Sequence, residues 1–158
     1  MKHVTAVCAF VSVFAASSSC RGLGEQDPQP AATEDRAAIQ RAALDYVLAL
    51  YDAEPERIRR SVHPELKKYG FYRPKGAADY RGSAMTFEQL VALAGEWNKD
   101  GSKADEASPK KVEILDVMDQ TAVVKLTAKW GIDHMQLAKF DGKWQILHIL
   151  WQSAPPKK

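Results

Sequence analysis

The sequence predicts an α+β domain, with three N-terminal helices packed on one face of a curved antiparallel sheet. Three observations predict it. Between Thr33 and Trp97 the apolar residues recur at helical spacing, and from Val112 onward the period drops to two. Asp141-Gly142, between the last two alternating runs, is a strong signal for a two-residue hairpin turn. A block of helices followed by a block of strands gives helices on a sheet, not an alternating α/β fold.

The first helix is expected to start at Thr33, a suitable N-cap, with Glu34 and Asp35 where the helix dipole favours acids. Ile39, Ala43, Tyr46, Val47 and Leu50 form its apolar stripe, opposite Arg36, Gln40, Arg41 and Asp45, and the helix runs to about Asp52. Glu54-Pro55 opens a short second helix, which ends before His63-Pro64 because the residue preceding a proline avoids the helical region. Residues 67–82, with Gly70, Gly76, Gly82 and Pro74 among aromatics, read as a loop or short strands. Thr86-Phe87-Glu88-Gln89 is a capping-box pattern that opens a third helix through Leu90, Leu93, Ala94 and Trp97. Residues 98–111 form a polar connector in which lysines and acids interleave, so no charged patch forms.

Four strands follow, over about 111–118, 121–130, 132–140 and 143–152. In the second, Ala122, Val124, Leu126, Ala128 and Trp130 alternate with largely polar residues, so one face covers a core. The last strand is apolar on both faces: Trp144, Ile146 and Leu150 alternate with Leu147, Ile149 and Trp151. One face belongs to the core, and a second copy of the chain is the natural cover for the other, so a homodimer is expected.

The chain has 158 residues, 46% hydrophobic and 27% charged, which is a globular balance. Residues 1–20 read as an export signal: Lys2 and His3, the apolar stretch Val4–Ala16, then small residues up to Cys20. That stretch is shorter than the ~20 apolar residues a membrane helix needs. The segment from Ala16 to Cys20 resembles a lipobox, with Ser17 where Leu or Val is usual, which makes Cys20 the candidate lipidation site. The expected location is therefore the periplasm, free or lipid-anchored to the envelope, with no other membrane attachment. Residues 21–32 read as a flexible tether, 33–153 as the domain and 154–158 as a tail.

Cys8 lies inside the signal, so the mature chain keeps at most Cys20, which excludes structural disulfides, Cys-ligated zinc and a core thiol nucleophile. Lys plus Arg is 22 against 20 for Asp plus Glu; without Lys2 it is 21 against 20. Such a near-neutral chain lacks the charge excess that binds phosphate backbones, so no nucleic-acid partner is expected. His63, His134, His148 and Asp133 have no helical or hairpin ligand spacing, so no metal is expected, and no cofactor either.

The segment GIDHMQLAKFDGKWQILHILWQ, preceded by VEILDVMDQTAVVKLTAKW, resembles the C-terminal half of the lumazine-binding family, within the nuclear transport factor 2-like superfamily. The opening ALDYVLALYDAEPERIRRSVHPEL fits the same pattern, and the likeness spans about residues 33–153. It implies a cone-shaped fold, a pocket between helices and sheet, frequent dimers and, from the family name, a pterin-like ligand. The isomerases of the superfamily use a tyrosine on the first helix, a carboxylate after the second, and a protonated aspartate on the penultimate strand. Carried onto this chain, Tyr46 takes the tyrosine's place, the base position falls near Tyr69-Gly70-Phe71 where no carboxylate occurs, and the acid position falls on Gln136. Isomerase chemistry is therefore not expected.

Tyr46 has two readings: a core tyrosine with a satisfied hydroxyl, or a hydrogen-bond donor to a ligand. On the third strand, His134 and Gln136 share one face, and Asp133, Met135, Leu137 and Lys139 share the other; periodicity does not choose between them. The isomerase acid projects inward, so the resemblance turns His134 and Gln136 toward the pocket. The expected ligand-binding residues are then Tyr46, Trp97, His134, Gln136 and Trp151, and no catalytic residue is assigned. The expected function is non-catalytic binding of a small hydrophobic or aromatic ligand by an exported domain. The alternatives are an isomerase or dehydratase acting on a small cyclic ketone, and a structural or partner-binding module with a filled cavity.

Overall fold

The apolar stripe of the first helix becomes the floor of the core. In the computed structural model, which describes residues 30–74 and 76–155, Ile39, Ala43, Tyr46, Val47 and Leu50 are all buried. Helix α1 spans Pro30–Tyr51, α2 Pro55–Ser61 and α3 Phe87–Glu96. The first helix starts three residues before the expected Thr33 cap, because Pro30 at its first position has no amide proton to leave unbonded. Residues 30–32 of the expected tether thus belong to the helix. The export signal, Cys20 and residues 156–158 lie outside the described residues. Among the described residues no helix is long and apolar enough to cross a membrane.

Helix α3 carries the capping box its sequence spells: the Gln89 amide donates to Thr86 Oγ1 at 3.3 Å, and Gln89 Oε1 accepts from the Thr86 amide at 2.9 Å. Its polar connector folds around Asn98, whose buried side chain donates to the carbonyls of Tyr51 and Ala104 and accepts from the amides of Lys103 and Ala104. One amide side chain thereby closes the turn after α3 and pins it to the end of α1.

Among the described residues the sheet has six strands: β1 (Val62–Tyr72), β2 (Arg81–Met85), β3 (Lys110–Val117), β4 (Thr121–Ala128), β5 (Gly131–Phe140) and β6 (Lys143–Ser153), in the order β2-β1-β6-β5-β4-β3. The four expected C-terminal strands pair antiparallel with one another. Residues 62–72 and 81–85 add two more, and β1 runs parallel to β6, so the sheet is mixed. Gly70 within β1 has a packing reason: a Cβ there would lie 1.6 Å from Nε1 of Trp151, whose indole covers the glycine.

The two-sided apolarity of β6 has a local cause. Gln136 faces His148 but Leu137 faces Ile146, so β6 holds one extra residue between those pairs. The bulge switches which residues point inward, from Trp144 and Ile146 before it to Ile149 and Trp151 after it. Both alternating sets therefore contribute to one core, while Leu150 on the outer face is 56% exposed.

Candidate functional site

Antiparallel partners share a face, so strand register decides what meets Tyr46. Ala122, Val124 and Leu126 of β4 are buried, and they pair with Leu137, Met135 and Asp133. The inward face of β5 is thus Asp133, Met135 and Leu137. His134 and Gln136 point outward and are exposed, contrary to the expectation taken from the isomerases. Physically, the two-residue turn Lys129-Trp130 fixes the phase: Ala128 pairs with Gly131, and every later pair follows. Extending the β4 strand to Trp130 hid that turn.

Four elements converge on one buried cluster. Tyr46 comes from α1, Lys68 from β1, Trp130 from the β4–β5 turn and Asp133 from β5. Tyr46 Oη donates to Asp133 Oδ1 at 3.3 Å and accepts from Lys68 Nζ at 2.7 Å. Lys68 Nζ also lies 3.4 Å from Asp133 Oδ1, and Trp130 Nε1 donates to Oδ2 at 2.6 Å. Among the described residues no buried side-chain nitrogen or oxygen lacks a partner.

Burial dominates the electrostatics. It lifts the Asp133 carboxyl above its ordinary value of 3.8, against the pull of Lys68 and the bonds from Trp130, Lys68 and Tyr46. It lowers the Lys68 ammonium below its ordinary 10.5, against Asp133. The Tyr46 hydroxyl is pushed well above 10.0, first by burial and then by the neighbouring Asp133 charge. Removing water thus weighs more on each ion than the partner's attraction returns.

Aromatic rings wall the cluster. Tyr51 stacks on Trp97 with centroids 5.9 Å apart, and Trp130 meets Trp97, Tyr51 and Tyr46 edge-on. The cavity left beside Tyr46, Lys68, Trp97 and Trp151, partly open to solvent, measures about 80 Å³. Tyr46, Trp97 and Trp151 therefore do come together, around a nearly filled space.

His134 and Gln136 belong to a different site, across the sheet. Pairing aligns Lys67, His148, Gln136 and Val123 in one outward row, and Tyr69, Leu150, His134 and Lys125 in the next. These rows floor a groove of about 850 Å³ bounded by β2 and the start of α3. Within it His148 Nδ1 and Gln136 Oε1 lie 2.9 Å apart. His63 stands apart, its ring 4.1 Å from that of Phe140 and its Nδ1 accepting the Glu65 amide. Among the described residues no three His, Cys, Asp or Glu side chains converge where a metal ion would sit.

Comparison with known proteins identifies the fold. The family described as "Putative lumazine-binding" matches residues 34–152. The chain belongs to that family. Solved structures of nuclear transport factor 2-like proteins share its fold. An NTF-2 like protein of unknown function from Silicibacter pomeroyi DSS-3 is 17% identical, with a TM-score of 0.55 over 75% of this chain and 94% of that one. Another, from Shewanella baltica OS155, is 17% identical, with a TM-score of 0.56 over 78% and 97%. A protein of Novosphingobium aromaticivorans DSM 12444 described as "Putative Scytalone Dehydratase" is 15% identical, with a TM-score of 0.50 over 76% and 84%. At such identities the likeness is one of fold alone. No curated protein matches the chain.

Lys68 and Asp133 are the residues that sequence reasoning missed. The signal for Asp133 was the Lys129-Trp130 turn; for Lys68 it was the alternation Leu66, Lys68, Gly70 against Lys67, Tyr69, Phe71. Replacing Lys68 with Met leaves a buried, unpaired carboxylate, and a loss of about 3–5 kcal/mol is expected at neutral pH. The folded-state pKa of Asp133 already exceeds the unfolded one, so the folded protein holds the extra proton, and stability present in acid is lost as pH rises through the folded value. Without Lys68 that loss steepens. Urea denaturation at about pH 4 and about pH 7 should show the gap between variant and parent shrinking in acid; an equal gap at both pH values refutes this account.

Proposed function

We propose that this chain is an exported, non-catalytic domain that binds a small hydrophobic or aromatic ligand in the groove on the outer face of its sheet. The observation that carries this is the groove itself, where His134, Gln136 and His148 are set among Tyr69, Val123 and Leu150 in about 850 Å³. Ligand sites typically occupy about 300–1,000 Å³ of mostly apolar surface with a few convergent polar groups. Gln136 turns its oxygen to His148, which leaves its amide N–H groups for a ligand, and Tyr69, 43% exposed, offers a ring face. A flat, pterin-like molecule, as the family's name suggests, has an edge for the amide and a face for the ring. The cyclic-ketone alternative has little support, because such a substrate exceeds the space beside Tyr46.

The same reading includes a homodimer in which a second copy roofs the groove. Tyr69, Phe71, Ile132 and Leu150, each at least 36% exposed, stand together on that face, and such apolar patches are uncommon on monomers. It also includes export, with lipidation at Cys20 as the anchor.

Titration with lumazine, followed by its fluorescence, tests the ligand. Gln136→Ala and Tyr69→Ala should each weaken binding about tenfold, or about 1.4 kcal/mol. Absence of binding at millimolar lumazine refutes the groove, and loss of binding in Trp97→Ala with both outer variants unaffected moves the ligand inside. For the dimer, sedimentation equilibrium at micromolar protein should give twice the chain mass; the mass of one chain refutes it. Fractionation of cells expressing Cys20→Ser should move the protein from membranes to the soluble periplasm, and an unchanged distribution ends the lipid-anchor reading.

A further inference from the structure

The Lys68 amine sits in an unusual setting. Two of the three non-carbon positions of its amine face Tyr46 Oη at 2.7 Å and Asp133 Oδ1 at 3.4 Å, and no third partner occurs among the described residues. Beside it lies the small, partly open cavity, walled by Met85, Leu90, Trp97 and Trp151. Met85, Trp97 and Trp151 are half-buried, so the cavity wall reaches the surface. Burial lowers the amine's affinity for its proton, which raises the share carrying a free electron pair near neutral pH. Apolar desolvation of this kind is the way lysines become reactive toward carbonyl compounds.

We propose that Lys68 is a covalent capture site for small, uncharged aldehydes, which enter the cavity and condense with its amine as an imine. The size follows from the volume: about 80 Å³ holds about three heavy atoms, the number in acetaldehyde. The charge follows from the walls. Asp133 already engages the amine, so a ligand carboxylate would be buried without a cation.

The step balances without a further reactant. The Lys68 electron pair forms the C–N bond while the carbonyl π pair moves to oxygen, which takes a proton from Tyr46 Oη. Tyr46 recovers a proton from the amine, directly across their hydrogen bond. The second amine proton then leaves with the hydroxyl as water, so both amine protons and the carbonyl oxygen depart together and C=N remains. Asp133 Oδ1 accepts from Tyr46 Oη until the aldehyde oxygen takes that proton, and again once Tyr46 has recovered one, so it acts as a positioning residue. The whole exchange is hydrolysable, so it stores an aldehyde and does not consume it.

Treatment of the full protein with acetaldehyde and cyanoborohydride, followed by peptide mass spectrometry, tests the site. Lys67 is the internal control: it is adjacent in sequence but exposed on the other face. At neutral pH Lys68 should gain an N-ethyl group about tenfold faster than Lys67. Benzaldehyde should label Lys67 and spare Lys68, and Tyr46→Phe should slow labelling of Lys68 alone. Labelling of Lys68 no faster than Lys67, equal labelling by benzaldehyde, or an unchanged Lys68 rate in Tyr46→Phe overturns the proposal. None of these outcomes bears on lumazine in the outer groove.

Discussion

Burying Lys68 against Asp133 is the constraint around which the domain is arranged. Each ion gives up hydration worth several kcal/mol, which is recovered only when its remaining hydrogen-bonding positions are filled. Filling them draws one residue from each of four elements: Tyr46 from the first helix, Trp130 from a turn, and the ions themselves from strands on either side of β6. The turn that delivers Trp130 ends at Gly131, with φ of +145° and the Gln152 carbonyl oxygen 2.0 Å from where a Cβ would stand. Backbone conformation, strand register and aromatic packing thus answer to one pair of charges. A second pairing acts at the far end of α1, where Asp35 accepts from Lys139 and from Trp144 Nε1 and ties the helix start to the β5–β6 hairpin.

The two faces of the sheet have different characters as a result. The inner face is lined by aromatic rings and satisfied polar groups, and its void is small and only partly open. The outer face combines exposed Tyr69, Phe71 and Leu150 with imidazole and amide groups that have few internal obligations. Alternation along each strand sorts neighbouring residues, such as Lys67 and Lys68, or Asp133 and His134, into these opposite environments. Two adjacent side chains of similar chemistry acquire unrelated tasks from a single step in phase.

Most of the fold was legible because its signals are local. The Thr86 capping box, the Glu54-Pro55 start, the Asp141-Gly142 turn and the alternation of 121–128 each depend on residues a few positions apart. Strands β1 and β2 were legible only as one of two readings of 67–82, a loop or short strands, because the evidence that decides is tertiary. An inward Lys68 breaks the apolar rhythm of β1, and Gly70 reads as a breaker until Trp151 is seen lying over it. Parallel pairing to a strand about 80 residues later has no local signature. The site followed the same rule: Tyr46, Trp97 and Trp151 stood out as aromatics on apolar stripes. The choice between Asp133 and His134 required a register that only the Lys129-Trp130 turn encodes.

The position of β6 has a consequence for how the molecule assembles. The last strand of the chain is third in the sheet, joined to β1 on one side and β5 on the other. Without it the sheet is two separate pieces, a two-stranded hairpin and a three-stranded meander, with nothing to bring Lys68 near Asp133. A growing chain therefore cannot complete its core until residues 143–153 have been made, however early its helices form. Such late, long-range closure raises contact order and delays the decisive step of folding. Until then the apolar rows destined for the interior stay open to solvent and to other chains, which makes the unfinished domain a natural client for chaperones.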